Sequence, residues 1–334
     1  MRKIVLLLIF IFSLSFANAG KKALLVGISK YPHDSGWCKL SSNNDLNYLD
    51  SILKCNFKTT IICNEQATKV GIIKALQKLE RQVLAGDTIL VHFSGHGQQM
   101  WANNDNENDL LDEAFVPYDA QKDSSAIYRG QNHLRDDELG TKINEIRKKA
   151  GTNGLVIVTI DACHSGSIDR DPEKNESIVR GTFDIFGAKR TMEDDARFKQ
   201  PDDTTRIKKG TLADVVYISA CAQYEINREI LVEGLGYGSL SYSLGEALES
   251  TSLEDKISFV NAVIDNMALN QPMQSPKIRA SFDYKDNKGE KLSLASFNDN
   301  DLSQRDSSSY IILIIFLVIV SIIGCVVWIR MKKK

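Results

Sequence analysis

The chain has 334 residues, 43% hydrophobic and 25% charged, with a formal net charge of −2 at pH 7. That length is enough to bury one large core or two modest ones. The near-neutral balance excludes a general affinity for nucleic acid, and the lack of any repeat of roughly 20–50 residues excludes a solenoid.

Met1-Arg2-Lys3 precedes the apolar run Ile4–Phe12, and Ala17-Asn18-Ala19 supplies small residues suited to a signal peptidase. Residues 1–19 therefore read as a cleaved secretory leader. Strands are predicted over Lys22–Ile28, Thr59–Cys63, Thr88–Phe93, Leu155–Ile160 and Asp214–Ser219, with a final strand over Lys277–Tyr284. Helices are predicted over Ser42–Lys54, Thr68–Leu84, Asp136–Lys149, Leu240–Glu249 and Asp255–Ala268. This alternation implies an α/β fold with a mostly parallel sheet of about six strands and helices on both faces.

Residues 168–210 interrupt the pattern, being polar and long for a connection within one domain. They carry Arg170, Arg180, Lys189, Arg190, Arg197, Lys199, Arg206, Lys208 and Lys209. Residues 297–309 read as a polar stalk. Tyr310–Ile329 is free of charge and, at about 1.5 Å per residue, long enough for a bilayer core as a helix. The basic tail 330–334 follows, so the expected arrangement is an exported protein with one C-terminal membrane helix, its main domain outside the cytoplasm, in a bacterial inner membrane.

Two strand ends carry chemistry. Thr88–Phe93 runs into Ser94-Gly95-His96-Gly97, and Leu155–Ile160 into Asp161-Ala162-Cys163-His164-Ser165-Gly166. Open α/β sheets place their sites at the carboxyl ends of strands, so a thiol and an imidazole meet there. The chemistry is cysteine nucleophilic catalysis, with His96 as base and Cys163 as nucleophile. The glycines let the backbone approach a substrate, and the amides of Gly97 and Cys163 are the expected oxyanion donors.

Both motifs, in this order and each at a strand end, resemble those of the caspase and metacaspase family of cysteine peptidases, and the resemblance runs over roughly residues 21–285. It implies a caspase-like three-layer sandwich, protein or peptide substrates, no organic cofactor and a monomeric catalytic domain. It also implies a large segment to about residue 167, a variable linker over 168–210 and a small segment over 211–296, the whole domain being 20–296. The linker's cations make it a candidate for self-cleavage, beside the plainer reading of a solvated connection. Tyr237-Gly238-Ser239-Leu240-Ser241 looks like the family's second-segment wall of the substrate groove.

Caspases carry a glutamine where this chain has Asp161, and an acidic pocket reverses the preference from aspartate to Arg or Lys. The similarity adds Asp45, Ser42 and Ser94 to that pocket, although metacaspases commonly carry cysteine at the position of Ser42. Calcium-dependent metacaspases use carboxylates that correspond to Asp112, Asp136 and Asp137, with Asp169 one residue from the expected fourth position. Hard oxygen ligands suit Ca²⁺; N-capping of the helix after Arg135 explains Asp136 and Asp137 equally. Outside the apolar C-terminal run stand Cys38, Cys55, Cys63, Cys163 and Cys221, an odd number consistent with one free nucleophile and up to two disulfides. The alternative function is a caspase-fold scaffold or recognition module that has lost activity.

Overall fold

The computed structural model describes residues 19–101, 111–163, 178–188, 207, 210–222 and 225–283. Its centre is a six-stranded sheet built from β1 (Lys21–Gly27), β2 (Lys58–Cys63), β3 (Thr88–Ser94), β7 (Leu155–Asp161), β8 (Asp214–Ser219) and β11 (Lys277–Ala280), in the order β2-β1-β3-β7-β8-β11. Every neighbouring pair is parallel except β8 with β11. The central strands are near-continuous apolar runs because both faces are covered.

Successive side chains point to opposite faces, and the core divides accordingly. Leu24, Val26, Ile89, Val91, Val156 and Val158 meet α2 (Lys69–Gln82) and α3 (Asp136–Ala150) through Ile72, Leu76, Leu139 and Ile143. Ala23, Leu25, Leu90, Ile157, Val216 and Ile218 face the other way, onto α1 (Ser42–Leu53), α4 (Ser239–Ser250) and α5 (Lys256–Asn270). The result is the expected three-layer α/β sandwich. Thr68 caps α2, its side chain accepting from the Gly71 N–H at 3.0 Å, and Asp255 caps α5 by accepting from the Ser258 N–H at 3.0 Å.

Two small sheets escaped the sequence reading. One comprises β4 (Gly97–Trp101), β5 (Leu111–Phe115) and β6 (Leu134–Arg135); the other is the hairpin of β9 (Glu229–Val232) and β10 (Leu235–Gly238). Glu233 and Gly234 join that hairpin, both at positive φ (52° and 81°), as a two-residue turn matched to the strand twist requires.

The expected single-pass membrane architecture needs correction. Among the described residues no helix is long and apolar enough to cross a membrane. The longest, α3 and α5, have 15 residues each, or about 22 Å of helix against a bilayer core of about 30 Å. Residues 1–18 of the expected leader 1–19 and the run Tyr310–Ile329 lie outside the described residues.

Candidate active site

The parallel register sets Ser94 at the end of β3 beside Asp161 at the end of β7, and the Gly95 N–H donates to the Asp161 carbonyl at 3.2 Å. His96 and Cys163 each follow two residues later, so one pairing in the sheet brings both to the same rim. Gly95 is required: a Cβ there would lie 2.8 Å from the Phe115 ring and 3.1 Å from the Tyr31 hydroxyl.

The loop after β1 holds the imidazole. Trp37 stacks on His96 with ring centres 4.8 Å apart, Tyr31 lies at 5.2 Å, and the Tyr31 hydroxyl accepts from the His96 backbone N–H at 3.1 Å. His96 Nε2 is 3.1 Å from the Cys38 carbonyl oxygen. An oxygen there can only accept, so Nε2 carries the proton and Nδ1 is the lone-pair nitrogen; Nδ1 is buried without a hydrogen-bond partner. Burial pushes the His96 pKa down to about 3, helped by the positive charges of Arg180 and Lys122, while the Cys38 carbonyl works the other way. The ring is therefore a neutral base at pH 7.

Cys163 is buried just past the end of the neighbouring strand β7. Its thiol donates to the Glu225 carbonyl at 3.0 Å, and the Cys221 thiol donates to Cys163 Sγ at 3.4 Å.

Behind the rim lies a buried acidic pocket. Asp45, in the first turn of α1, accepts from the Ser94 hydroxyl (2.7 Å) and the Gly238 N–H (2.9 Å). Asp161 accepts from Asn227 Nδ2 (2.7 Å) and from the Ser241 hydroxyl and N–H (2.6 and 2.7 Å). The space between them is filled by Arg180, itself wholly buried. One guanidinium nitrogen lies 2.8 Å from Asp45 and 2.9 Å from Glu229; the other donates to the Ser94 hydroxyl at 2.7 Å and lies 3.8 Å from Asp161. Burial raises the Asp161 pKa, but Arg180, Asn227 and Ser241 outweigh it and hold the carboxyl below its usual range. Asp45 goes the other way: burial, aided by Asp161, pushes it up to about 6 against the pull of Arg180. Ser42 is buried at the start of α1 with its hydroxyl unpartnered.

The backbone around Arg180 lies along the rim as an extended strand. Val179 pairs antiparallel with Arg228, the Arg180 N–H donates to the Asn227 carbonyl at 2.9 Å, and the Glu229 N–H donates to the Ile178 carbonyl at 2.9 Å. The Arg180 carbonyl accepts from the Cys163 N–H at 2.8 Å, and Gly181 bridges in parallel to both Gly97 and Cys163. A Cβ on Gly181 would sit 2.0 Å from the Cys163 carbonyl oxygen, so only glycine allows this approach.

Residues 20–286 match the family described as Caspase domain. The chain belongs to the caspase-domain family. That makes its family one of cysteine peptidases, and its relatives include Metacaspase-1A of Aspergillus terreus, 24% identical over 307 residues (81% of this chain, 72% of the relative). Metacaspase-1 of Ajellomyces capsulatus is 24% identical over 311 residues, covering 81% and 82%. Among solved structures, protein GSU0716 from Geobacter sulfurreducens shares the fold with a TM-score of 0.53 at 21% identity, covering 80% of this chain and 95% of that one. With fungal metacaspases as its curated relatives, the expected placement in a bacterial inner membrane with a periplasmic domain is withdrawn.

Within this caspase domain the second carboxylate group is built differently. Asp112 on β5 is ion-paired to Arg135. Asp136 and Asp137 open α3, where Asp136 accepts from the Asp137 N–H at 3.0 Å. Asp136, Asp137 and Glu113 line a cavity of about 530 Å³, shared with Arg147, Lys277 and Arg279. Packing against that wall, then Glu113, Asp137 and Asp112, push the Asp136 pKa up to about 7; solvent reaches the side chain and screens the effect. Among the described residues no three His, Cys, Asp or Glu side chains are grouped to hold a metal ion. Asp169 lies outside the described residues.

Several residues escaped the sequence reading. Arg180 was one of ten linker cations, Glu229 lay in an unassigned hairpin and Asn227 just before it. The Cys38 carbonyl has no side-chain signature at all. The five cysteines among the described residues are all free thiols.

Proposed function

We propose that the chain is a cysteine endopeptidase that cleaves after Arg or Lys. Cys163 is the nucleophile and His96 Nδ1 its base, with the Cys38 carbonyl orienting the ring through Nε2. The observation that carries this reading is Arg180. Its side chain occupies the pocket of Asp45, Asp161, Ser94 and Glu229 while its carbonyl accepts from the Cys163 N–H, so a segment of the chain lies where a substrate would.

The chemistry follows from that arrangement. His96 Nδ1 takes the thiol proton, and the Cys38 carbonyl stabilises the imidazolium that forms. The sulfur attacks the carbonyl carbon of the pocket arginine, and the Cys163 and Gly97 N–H groups hold the oxyanion. The proton passes to the leaving amine, and water then hydrolyses the thioester. Asp161 and Asp45 select the substrate cation, since two buried carboxylates without a partner are costly; Ser94 adds a hydroxyl, and Ser42, buried at the start of α1, offers another that has no partner among the described residues. Applied in cis, the scissile bond is Arg180–Gly181, within the 168–210 linker that separates the large segment from the small one. Calcium enters only as a cation that Asp136 and Asp137 would bind at the start of α3, and none of these steps runs through it.

The test is cleavage of peptides ending in Arg, Lys or Asp by the full chain, beside Cys163→Ala, with N-terminal sequencing of the incubated protein. Turnover after Arg or Lys that vanishes in the variant, with a new terminus at Gly181, is the expected result. Turnover after Asp alone would overturn the pocket assignment. No turnover and no labelling of Cys163 by an arginyl electrophile would favour the silent scaffold.

A further inference from the structure

Cys221 is a buried nucleophilic group that the peptidase steps do not use. It follows β8, the strand next to β7, and the register that pairs Ile160 with Ser219 carries on to bring it within one position of Cys163. The two sulfurs are 3.4 Å apart, and both point at the Glu225 carbonyl, at 3.0 Å from Cys163 and 3.5 Å from Cys221. Neighbouring strands lie about 4.8 Å apart, inside the Cα range that a disulfide spans, and a bond needs the sulfurs to close by only about 1.3 Å. The side-chain directions that a cross-link requires are already present.

From this geometry we infer that Cys163 and Cys221 are an oxidisable pair, joined by a hydroperoxide into a reversible disulfide that blocks the nucleophile. The steps balance with hydrogen peroxide as oxidant. The Cys163 sulfur attacks the peroxide, an S–O bond forms, the O–O bond breaks and hydroxide leaves, taking up the thiol proton as water. The Cys221 sulfur then attacks the resulting sulfenic acid; the S–S bond forms, the S–O bond breaks, and a second water carries off the oxygen with the Cys221 proton. Two thiols are oxidised by two electrons, and one peroxide becomes two waters. A resolving thiol this close captures the sulfenic acid before further oxidation, which would be irreversible.

The arrangement also makes the two fates of Cys163 exclusive. In acyl transfer its sulfur bonds to the carbonyl carbon held by the rim amides; in the cross-link it bonds towards β8. Cys38 and Cys55 are exposed and serve as controls for nonspecific oxidation.

The inference rests on Cys163 being a reactive thiol, as in the proposed function, but its primary readout is mass and needs no turnover. The full chain is treated with excess hydrogen peroxide, enough to carry an unprotected thiol past the sulfenic acid, then digested without reductant and mapped. The expected result is a Cys163–Cys221 linked peptide pair, a mass lower by about 2 Da, and loss of iodoacetamide labelling at Cys163 that dithiothreitol restores. In Cys221→Ser, whose hydroxyl keeps a donor to the Glu225 carbonyl, the link is absent and labelling at Cys163 is not restored, because oxidation runs on to the sulfinic acid. A wild-type chain that goes to sulfinic acid without the link, or that joins Cys163 to Cys38, overturns the inference. Linkage without peptide turnover would leave the pair standing and remove the peptidase reading.

Discussion

Asp45, Asp161 and Glu229 are almost wholly buried and converge on Arg180, whereas Asp136 and Asp137 stand exposed at the start of α3, beside Glu113 and Asp112. The first group is tolerated in the interior because a cation of the same chain is locked among its members and hydroxyls and amides take the remaining lone pairs. The second needs no such guest. Water, the helix N-terminus and nearby arginines moderate it, and what burial it has appears as a raised carboxyl pKa. Two acidic clusters of similar composition are therefore different objects: one an ion-paired core, the other a crowded surface.

The largest test of that contrast removes the guest. Arg180→Ala leaves buried carboxylates uncompensated and is expected to cost about 3–5 kcal/mol in denaturant unfolding, with Arg180→Lys recovering part of the loss. Next comes Asp161→Ala, which should lower kcat/KM for arginyl peptides by about 100-fold while iodoacetamide still labels Cys163, since one pocket charge is lost and the dyad remains.

The acid limb separates the regions by sign. Burial holds His92 down to about 4, and His96 and His133 down to about 3. Their contribution is complete above the unfolded value near pH 6.5 and is lost as pH falls towards the folded values, because the unfolded chain takes up protons that the fold refuses. Each should steepen the loss by up to about 1.4 kcal/mol per pH unit, measured by unfolding between pH 7 and 4. Asp136 acts oppositely: its folded pKa is raised, so its share of stability is present at acid pH and lost as pH rises to about 7. Asp136→Asn should flatten that loss by less than about 1 kcal/mol. Millimolar calcium should reproduce the flattening if Asp136 and Asp137 bind it, and leave the curve unchanged if they serve only as helix caps.

What could be read in advance follows from where the information lies. Leu155–Ile160 and Thr88–Phe93 are continuous apolar runs because parallel strands are covered on both faces, so these strands and the motifs at their ends were legible. The hairpin of β9 and β10 was not, because Glu233-Gly234 lacks the usual asparagine or aspartate before glycine. β4 hid for another reason: Gln98 is buried in a polar network, accepting from His133 Nε2 at 2.9 Å and donating to the Lys122 carbonyl at 3.1 Å, which erases the alternation expected of a strand. In the site, Cys163, His96, Asp45 and Asp161 carry their chemistry in side chains attached to recognisable elements. Arg180 does not stand out among ten cations, and its importance comes from a fold that threads it back across the rim. Cys221 was readable only as a core thiol or as a disulfide partner of Cys38, Cys55 or Cys63, because its proximity to Cys163 depends on strand order.

The strand at Ile178–Arg180 also bears on how the molecule would behave after one cut. Arg180 would then end in a carboxylate and Gly181 begin with an ammonium, but the guanidinium would still sit among Asp45, Asp161 and Glu229, and Ile178 is tethered only fifteen residues from Cys163. A short tether holds its end at an effective concentration in the millimolar range, so the new carboxyl end competes with any outside peptide as a built-in product inhibitor. Scission and vacancy of the pocket are thus separate events, and the rate at which this end leaves sets how quickly a cut molecule turns to other substrates.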